Sequence, residues 1–326
     1  MSKATGEHFA NAESLLFLSC DLVGSTHHKQ KLATRWQITF LVFYRGFPQA
    51  LAQVAQEQGC PLTFTLWKAF GDELVFTCHV RHEQDVTRAV YVWLAAMARY
   101  EADTLQDEDM RTKGGAFIAT FPGPDSRVSI PLNPLTEISD KGVVELNDDA
   151  IAFFDPSRYL YDYLGPSFDT GFRVVSECGP RYFTMSVEAA WAYGQGTRFV
   201  AEPGMPELKY LGERKLKGVW NGRPYPLIGL DRSRTNPVDR VNEALTLLGR
   251  SLGDPASIDS LCEACAGTEG WPTAIYLPDS KYPQFRHRPE DSLAGLRTNA
   301  MDGAETLPPK ERETRLAILR KNAPLA

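Results

Sequence analysis

The strongest constraint on the fold is the order in which apolar periodicities follow one another between Leu15 and Phe121. Leu15–Cys20 (LLFLSC) is a short apolar run that stops at Asp21, as a buried central strand does. Asp21-Leu-Val-Gly-Ser-Thr26 then opens a long stretch, Lys29–Glu57, with apolar residues at helical spacing. Leu62–Trp67 alternates like a strand, Lys68–Glu73 contains the Gly71 turn signal, and Leu74–Val80 is a second apolar strand. Together they read as a hairpin with Asp72 at its tip. Val86–Tyr100 reads as a helix and Lys113–Phe121 as a returning strand. The order β-α-β-β-α-β predicts an α+β fold of ferredoxin-like, palm-type layout.

Pro122–Asn147 is rich in Pro, Gly and Asp and predicts a surface excursion rather than core. Phe168–Val175 and Val187–Tyr193 read as helices, and Lys209–Leu216 and Tyr225–Leu230 as closing strands. Beyond about Arg234 come helical pieces separated by Gly and Pro: Val238–Leu252, Ser257–Cys265 and Pro309–Lys321. The expected organisation is an N-terminal tail over 1–14, a main domain over 15–232, and a small, mainly helical C-terminal extension over 233–326. A chain of 326 residues, 43% hydrophobic and 23% charged, has the length and composition of a folded protein with a full core.

The net charge of -6 supplies no global basic field, which argues against a nucleic-acid partner but leaves room for a small anionic substrate in a locally basic pocket. Met1–Ser14 has no cationic stretch followed by an apolar core. No later run reaches the roughly 18–20 apolar residues of a membrane span, so a soluble, cytoplasmic protein is expected. Cys262 and Cys265 form a CxxC with no second CxxC or paired histidines nearby; they read as two helical cysteines one turn apart rather than a zinc site.

A carboxylate at the end of a central strand and another at the tip of an adjacent hairpin can converge on one point. Asp21 and Asp72 would there hold divalent cations, and two hard oxygen ligands suit Mg²⁺ or Mn²⁺. Two such ions support an in-line displacement at phosphorus. Gly24, Ser25 and Thr26 open a helix just after Asp21, where free backbone N–H groups bind phosphate; the competing reading of Ser25 or Thr26 is a simple N-cap.

Three segments carry a resemblance. Phe17-Leu-Ser-Cys-Asp-Leu-Val-Gly-Ser-Thr26 resembles the first metal motif of class III nucleotidyl cyclases, and Lys68-Ala-Phe-Gly-Asp-Glu73 resembles their second. Asp162-Tyr-Leu-Gly-Pro-Ser-Phe-Asp169-Thr-Gly-Phe-Arg173 has the family's spacing of a base-contacting Asp, a ribose-positioning polar residue and an arginine. Leu216-Lys-Gly218 is similar to a turn near the end of the family's catalytic domain, so the similarity runs in order from Leu15 to Leu230.

The resemblance implies roles. Asp21 and Asp72, with the Leu22 carbonyl, would bind two Mg²⁺ or Mn²⁺ ions. Arg173 would stabilise charge developing at the α-phosphate, and Lys68 and Asp162 would read the base. Because the family builds its sites between two catalytic domains, a homodimer is implied. Asp169 stands where adenylate and guanylate cyclases have Asn; a carboxylate cannot donate to the ribose ring oxygen, so Asp169 would contact a hydroxyl or pair with Arg173. Lys217, with Arg214 and Lys215 as rivals, would take the triphosphate. The Gly-Asp-Glu hairpin, Asp169 and the cluster Phe43-Tyr44-Arg45-Gly-Phe47 look most like the pyrimidine cyclases of the bacterial antiphage Pycsar system. That implies UTP as substrate, with CTP, then ATP or GTP, then an inactive nucleotide-binding module as alternatives. Tyr44 would either narrow the base pocket or pack as an aromatic between helix and sheet. A diguanylate cyclase would need a Gly-Gly-Asp-Glu-Phe hairpin, but Phe70 and Leu74 stand where its first Gly and its Phe belong.

Overall fold

The computed structural model describes residues 12–25, 36–106, 110–137, 139–200, 202, 204–232 and 255–301. The fold is α+β, and it begins with the predicted β-α-β-β-α-β order. The elements are β1 (Glu13–Val23), α1 (Trp36–Glu57), β2 (Thr65–Phe70), β3 (Glu73–Val80), α2 (Glu83–Thr104), β4 (Arg111–Lys113) and β5 (Gly115–Phe121). There follow β6 (Ser126–Pro131), α3 (Val143–Phe153), β7 (Tyr159–Leu164), α4 (Pro166–Val175), β8 (Tyr182–Met185) and α5 (Val187–Gly196). The last are β9 (Leu208–Arg214), β10 (Tyr225–Asp231), α6 (Pro255–Ala266) and α7 (Ala294–Met301). No helix among the described residues is long and apolar enough to cross a membrane.

The described residues divide into two compact units, one drawn from Glu13–Ala119 and Pro166–Arg288, the other from Thr120–Gly165 with Ala12 and Pro289–Met301. The larger contains the main mixed sheet, ordered β2-β3-β1-β5-β8-β10-β9 with β4 also paired to β1. Strand β1 runs antiparallel to β3 and β4, while β5 and β8 are parallel. Alternation along β1 sends Leu16, Leu18, Cys20 and Leu22 into a core with Phe43 and Phe47 of α1 and Trp93, Met97 and Tyr100 of α2. The opposite face of β1 carries Phe17, Ser19 and Asp21. Phe17 stacks on Phe117 of β5 at 4.8 Å, and both meet Phe168 of α4 edge-on. Gly171 allows α4 to lie this close, because a Cβ there would sit 2.1 Å from the Phe117 ring.

Residues 255–288, expected as part of a helical extension, pack within the same unit. Ile258 and Cys262 of α6 lie in the main core, Phe285 meets Trp191 of α5 edge-on at 4.8 Å, and Trp271 Nε1 donates to Glu188 at 2.8 Å. Cys262 and Cys265 are buried on α6, and burial pushes the Cys265 thiol up to about 11. The expected helices Val238–Leu252 and Pro309–Lys321 lie outside the described residues.

In the smaller unit, β6 and β7 pair antiparallel from Ser126↔Leu164 to Pro131↔Tyr159. Asn147 of α3 accepts from Ser129 N at 2.8 Å and donates to the Arg127 carbonyl at 3.1 Å, fastening α3 to this ribbon. Arg297 of α7 in turn binds Asp148 at 2.7 Å. The Pro122–Asn147 stretch is therefore not a bare excursion: it supplies a strand and the start of a helix. Its composition hid them because the face bearing Ile130, Leu160 and Leu164 is exposed and lacks the polar alternation of a half-buried strand.

Candidate functional site

Cross-strand register brings the two predicted aspartates together. Asp21 stands opposite Glu73 in the β1–β3 pairing, so Asp72, one residue earlier in the turn, arrives beside Leu22, whose N–H donates to the Asp72 carbonyl at 3.3 Å. Strand β2 begins and ends three residues later than expected, which places Lys68 and Phe70 within the strand and leaves only Gly71 and Asp72 in the turn. Gly71 has φ +62°, a conformation that favours glycine. The Tyr44 hydroxyl of α1 donates to the Gly71 carbonyl.

Asp21 is also paired across β4, where Lys113 is its register partner and Lys113 Nζ lies 3.1 Å from Asp21 Oδ2. Burial raises the Asp21 carboxyl above its ordinary range and the charge of Asp72 adds to this, while Lys113 pulls it down. Glu73 is raised by burial and then by Asp21, against a hydrogen bond from Ser19. Burial works to lower the Lys113 ammonium, but its bond to Asp21 and the surrounding carboxylates outweigh this and raise it. Burial pushes the nearby Cys178 thiol up to about 11. Asp72 thus adds its charge to Asp21 and Glu73, the two carboxylates that act on the Lys113 ammonium, an excess of negative charge that a divalent cation would neutralise. No group of three or more His, Cys, Asp or Glu side chains is arranged as a metal site among the described residues. A cation here would rest on Asp21, Asp72 and the Leu22 carbonyl, hard oxygen donors that leave positions for water and phosphate oxygens.

Helix α4 lies against the hairpin. Phe172 meets Phe70 at 6.0 Å and Trp67 at 6.1 Å, and the Lys68 ammonium lies 5.0 Å above the Trp67 ring. Asp169 is exposed on the first turn of α4 and Arg173, half-buried, on its last. The Val174 carbonyl accepts from Thr184 Oγ1 at 2.9 Å, tying that last turn to β8. A Cβ on Gly218 would lie 4.0 Å from Arg173 Nη2, so the Leu216-Lys-Gly218 turn and Arg173 are neighbours. Lys217, Arg214 and Lys215 are all exposed. Gly24 turns the chain at φ +88° and Ser25 is buried, while Thr26 lies outside the described residues. Asp162 belongs to the smaller unit, on β7 opposite Val128, with its carboxylate accepting from Tyr163 N at 2.9 Å.

Lys113 and Ser19 complete this constellation without having been singled out beforehand. The available signal was a cation at the mouth of an otherwise apolar strand, KGGAFIATF.

No protein-family model and no curated protein matches the chain. Among solved structures it is similar to the adenylyl cyclase CyaB from P. aeruginosa, at 13% identity over 70% of this chain and 97% of that one, TM-score 0.44. It is similar to the adenylate/guanylate cyclase/hydrolase from Silicibacter pomeroyi at 17% identity over 68% and 98%, TM-score 0.38. A third is the non-canonical dimeric guanylyl cyclase domain of the RhoGC fusion protein from the aquatic fungus Blastocladiella emersonii, at 11% identity over 68% and 98%, TM-score 0.42.

Proposed function

We propose that this chain is a nucleotide cyclase that closes the 3′,5′ ring of a pyrimidine nucleoside triphosphate, with UTP as substrate and cyclic UMP and diphosphate as products. The observation that carries the reading is the convergence of Asp21 and Asp72 through the β1–β3 register, with α4 and its Arg173 packed against the same hairpin. In the reaction the ribose O3′ forms a bond to the α-phosphorus, the bond from that phosphorus to the diphosphate oxygen breaks, and the hydroxyl proton leaves to solvent. Asp21, Asp72 and the Leu22 carbonyl would hold two Mg²⁺ or Mn²⁺ ions, whose chemistry would be to acidify the 3′-hydroxyl and neutralise the departing diphosphate. Gly24, Ser25 and Thr26 and one of the basic residues Lys217, Lys215 or Arg214 receive the triphosphate. Arg173 offsets charge growing at the α-phosphate, the preorganised electrostatic contribution that dominates phosphoryl-type chemistry.

Lys68 and Asp162 are assigned to the base and Asp169 to a ribose hydroxyl. The preference for a pyrimidine rests on the Gly-Asp-Glu hairpin and on Asp169. With it comes a cytoplasmic setting and a role for the product as an antiphage messenger. Exposed Leu66 and Phe70 flank Lys68 on the hairpin and are the apolar surface a second copy would cover to complete a homodimeric site.

Incubation with each of the four ribonucleoside triphosphates and Mn²⁺, with products identified by mass spectrometry, tests the reading. Cyclic UMP is the expected product. Much faster turnover of ATP or GTP would overturn the pyrimidine assignment, and full turnover by an Asp72→Asn variant would overturn the two-metal site.

A further inference from the structure

We propose that Tyr44 is a positioning residue whose hydroxyl clamps the turn that carries Asp72 and so sets the geometry of the cation site. This rests on the cyclase reading only for what the site does; the clamp itself rests on two hydrogen bonds.

Strand β2 lies at the edge of the sheet, so the hairpin tip has β3 as its sheet neighbour and needs other ties to hold its two-residue turn in one conformation. The Tyr44 hydroxyl donates to the carbonyl of Gly71, and Leu22 N–H donates to the carbonyl of Asp72. The first tie comes from α1 and the second from β1. A carbonyl shares a rigid plane with the N–H that follows it, so pinning the Gly71 carbonyl also fixes the orientation of the Asp72 N–H and the base from which the Asp72 side chain departs. The clamp matters most at a glycine. Gly71 sits at φ +62°, a residue and a conformation with easy alternatives, and nothing lies within 4 Å of where its Cβ would be to block them.

Tyr44 is well placed for this task. Its neighbours Phe43 and Phe47 are fully buried and lock α1 against the sheet, and Tyr44 itself packs at the edge of that core. A tyrosine loses little freedom when held, since two side-chain torsions define it. Its hydroxyl is committed to the turn, which gives it work other than lining a base pocket.

Tyr44→Phe removes the hydroxyl and keeps the ring. Three measurements on the full chain separate the possibilities: amide hydrogen exchange across residues 68–74, Mn²⁺ binding followed by the EPR signal of the free ion, and initial rates with all four triphosphates. The expected result is exchange at the turn faster by about 5-fold and Mn²⁺ binding weaker by about 5-fold, the loss of one hydrogen bond. KM at saturating Mn²⁺ and the ranking of the four bases stay as in the wild type, and the thermal midpoint falls by no more than a few degrees. Unchanged exchange together with unchanged Mn²⁺ affinity would overturn the proposal. So would a changed base preference with Mn²⁺ affinity intact, which would make Tyr44 a base contact. A wild-type chain that turns over no triphosphate sinks the cyclase reading alone, because exchange and Mn²⁺ binding still decide the clamp.

Discussion

Replacing Gly171 by alanine sets two opposing effects against each other at a position two residues from both Asp169 and Arg173. In a helix interior alanine is favoured over glycine by about 0.8–1.0 kcal/mol, so propensity alone predicts a more stable protein. Packing predicts the reverse. The new methyl carbon would sit 2.1 Å from Phe117 Cγ, about 1.3 Å inside the 3.4 Å at which ordinary contact begins. Phe117 has nowhere to go: it is 2% exposed, stacked on Phe17 at 4.8 Å and flanked by Phe168 and Phe172 at 5.8 and 5.2 Å. Helix α4 must lift instead, and overpacking of this kind costs about 1–3 kcal/mol beyond a conservative change. A clash this deep belongs at the upper end of that range, so the net expectation is a loss of about 1–2 kcal/mol. At roughly 2–4 °C per kcal/mol for chains of about 150–250 residues, the thermal midpoint falls by a few degrees. Urea unfolding followed by near-UV circular dichroism, which reads the aromatic cluster directly, measures it. The double variant with Phe117→Leu should recover part of the loss, because the smaller side chain makes room. Equal or greater stability in Gly171→Ala, or additivity of the two changes within about 0.5 kcal/mol, would refute the seating of α4 on β5. Under the proposed function, cyclase turnover falls by at least about 10-fold in the single variant, since Arg173 moves with the helix.

Two further outcomes follow from the site's charges. Asp21 and Glu73 are raised in the folded state, so their favourable contribution is complete below the unfolded-state pKa and is lost as pH rises through the raised values; at neutral pH they cost stability. Saturating Mn²⁺ should therefore raise the thermal midpoint of the wild type by several degrees and leave Asp72→Asn nearly unmoved; an equal shift in both would place the ion elsewhere. Arg232, 7% exposed at its side chain, donates to the Thr112 carbonyl at 2.7 Å and to Glu101 at 3.0 Å, holding β4 and hence Lys113 in place. Arg232→Met should cost about 2–3 kcal/mol in urea unfolding, below the range of about 3–5 kcal/mol for a fully buried pair because Glu101 keeps its bonds to Thr112. A loss under about 0.5 kcal/mol would show that β4 does not depend on it.

What the amino-acid order determined by itself is local. The apolar run ending at Asp21, the helical spacing beyond it and the Gly71 turn are each decided by neighbours within a few residues, and all three recur in the structure with Asp72 at the hairpin tip. The edges of β2 lie three residues from where alternation puts them, because an exposed edge strand has little burial to mark its ends. The ribbon of β6 and β7 leaves no clear alternation for a related reason, since exposed Ile130, Leu160 and Leu164 are uncovered.

Only tertiary structure decided the rest. That Lys113 stands on Asp21 depends on the register between strands ninety-odd positions apart, and a slip of one residue would send it to the other face. The Tyr44 hydroxyl reaches Gly71 because α1 is docked by Phe43 and Phe47, and the pattern around Tyr44 does not say which way its ring points. The packing of residues 255–288 into the main core was likewise invisible, because helical periodicity marks an apolar face without naming its partner. Local periodicity carries Asp21 to a strand, which runs two residues beyond it to Val23, and Asp72 to a turn; the charges and contacts that surround them are set through space, by residues the chain brings back from far away.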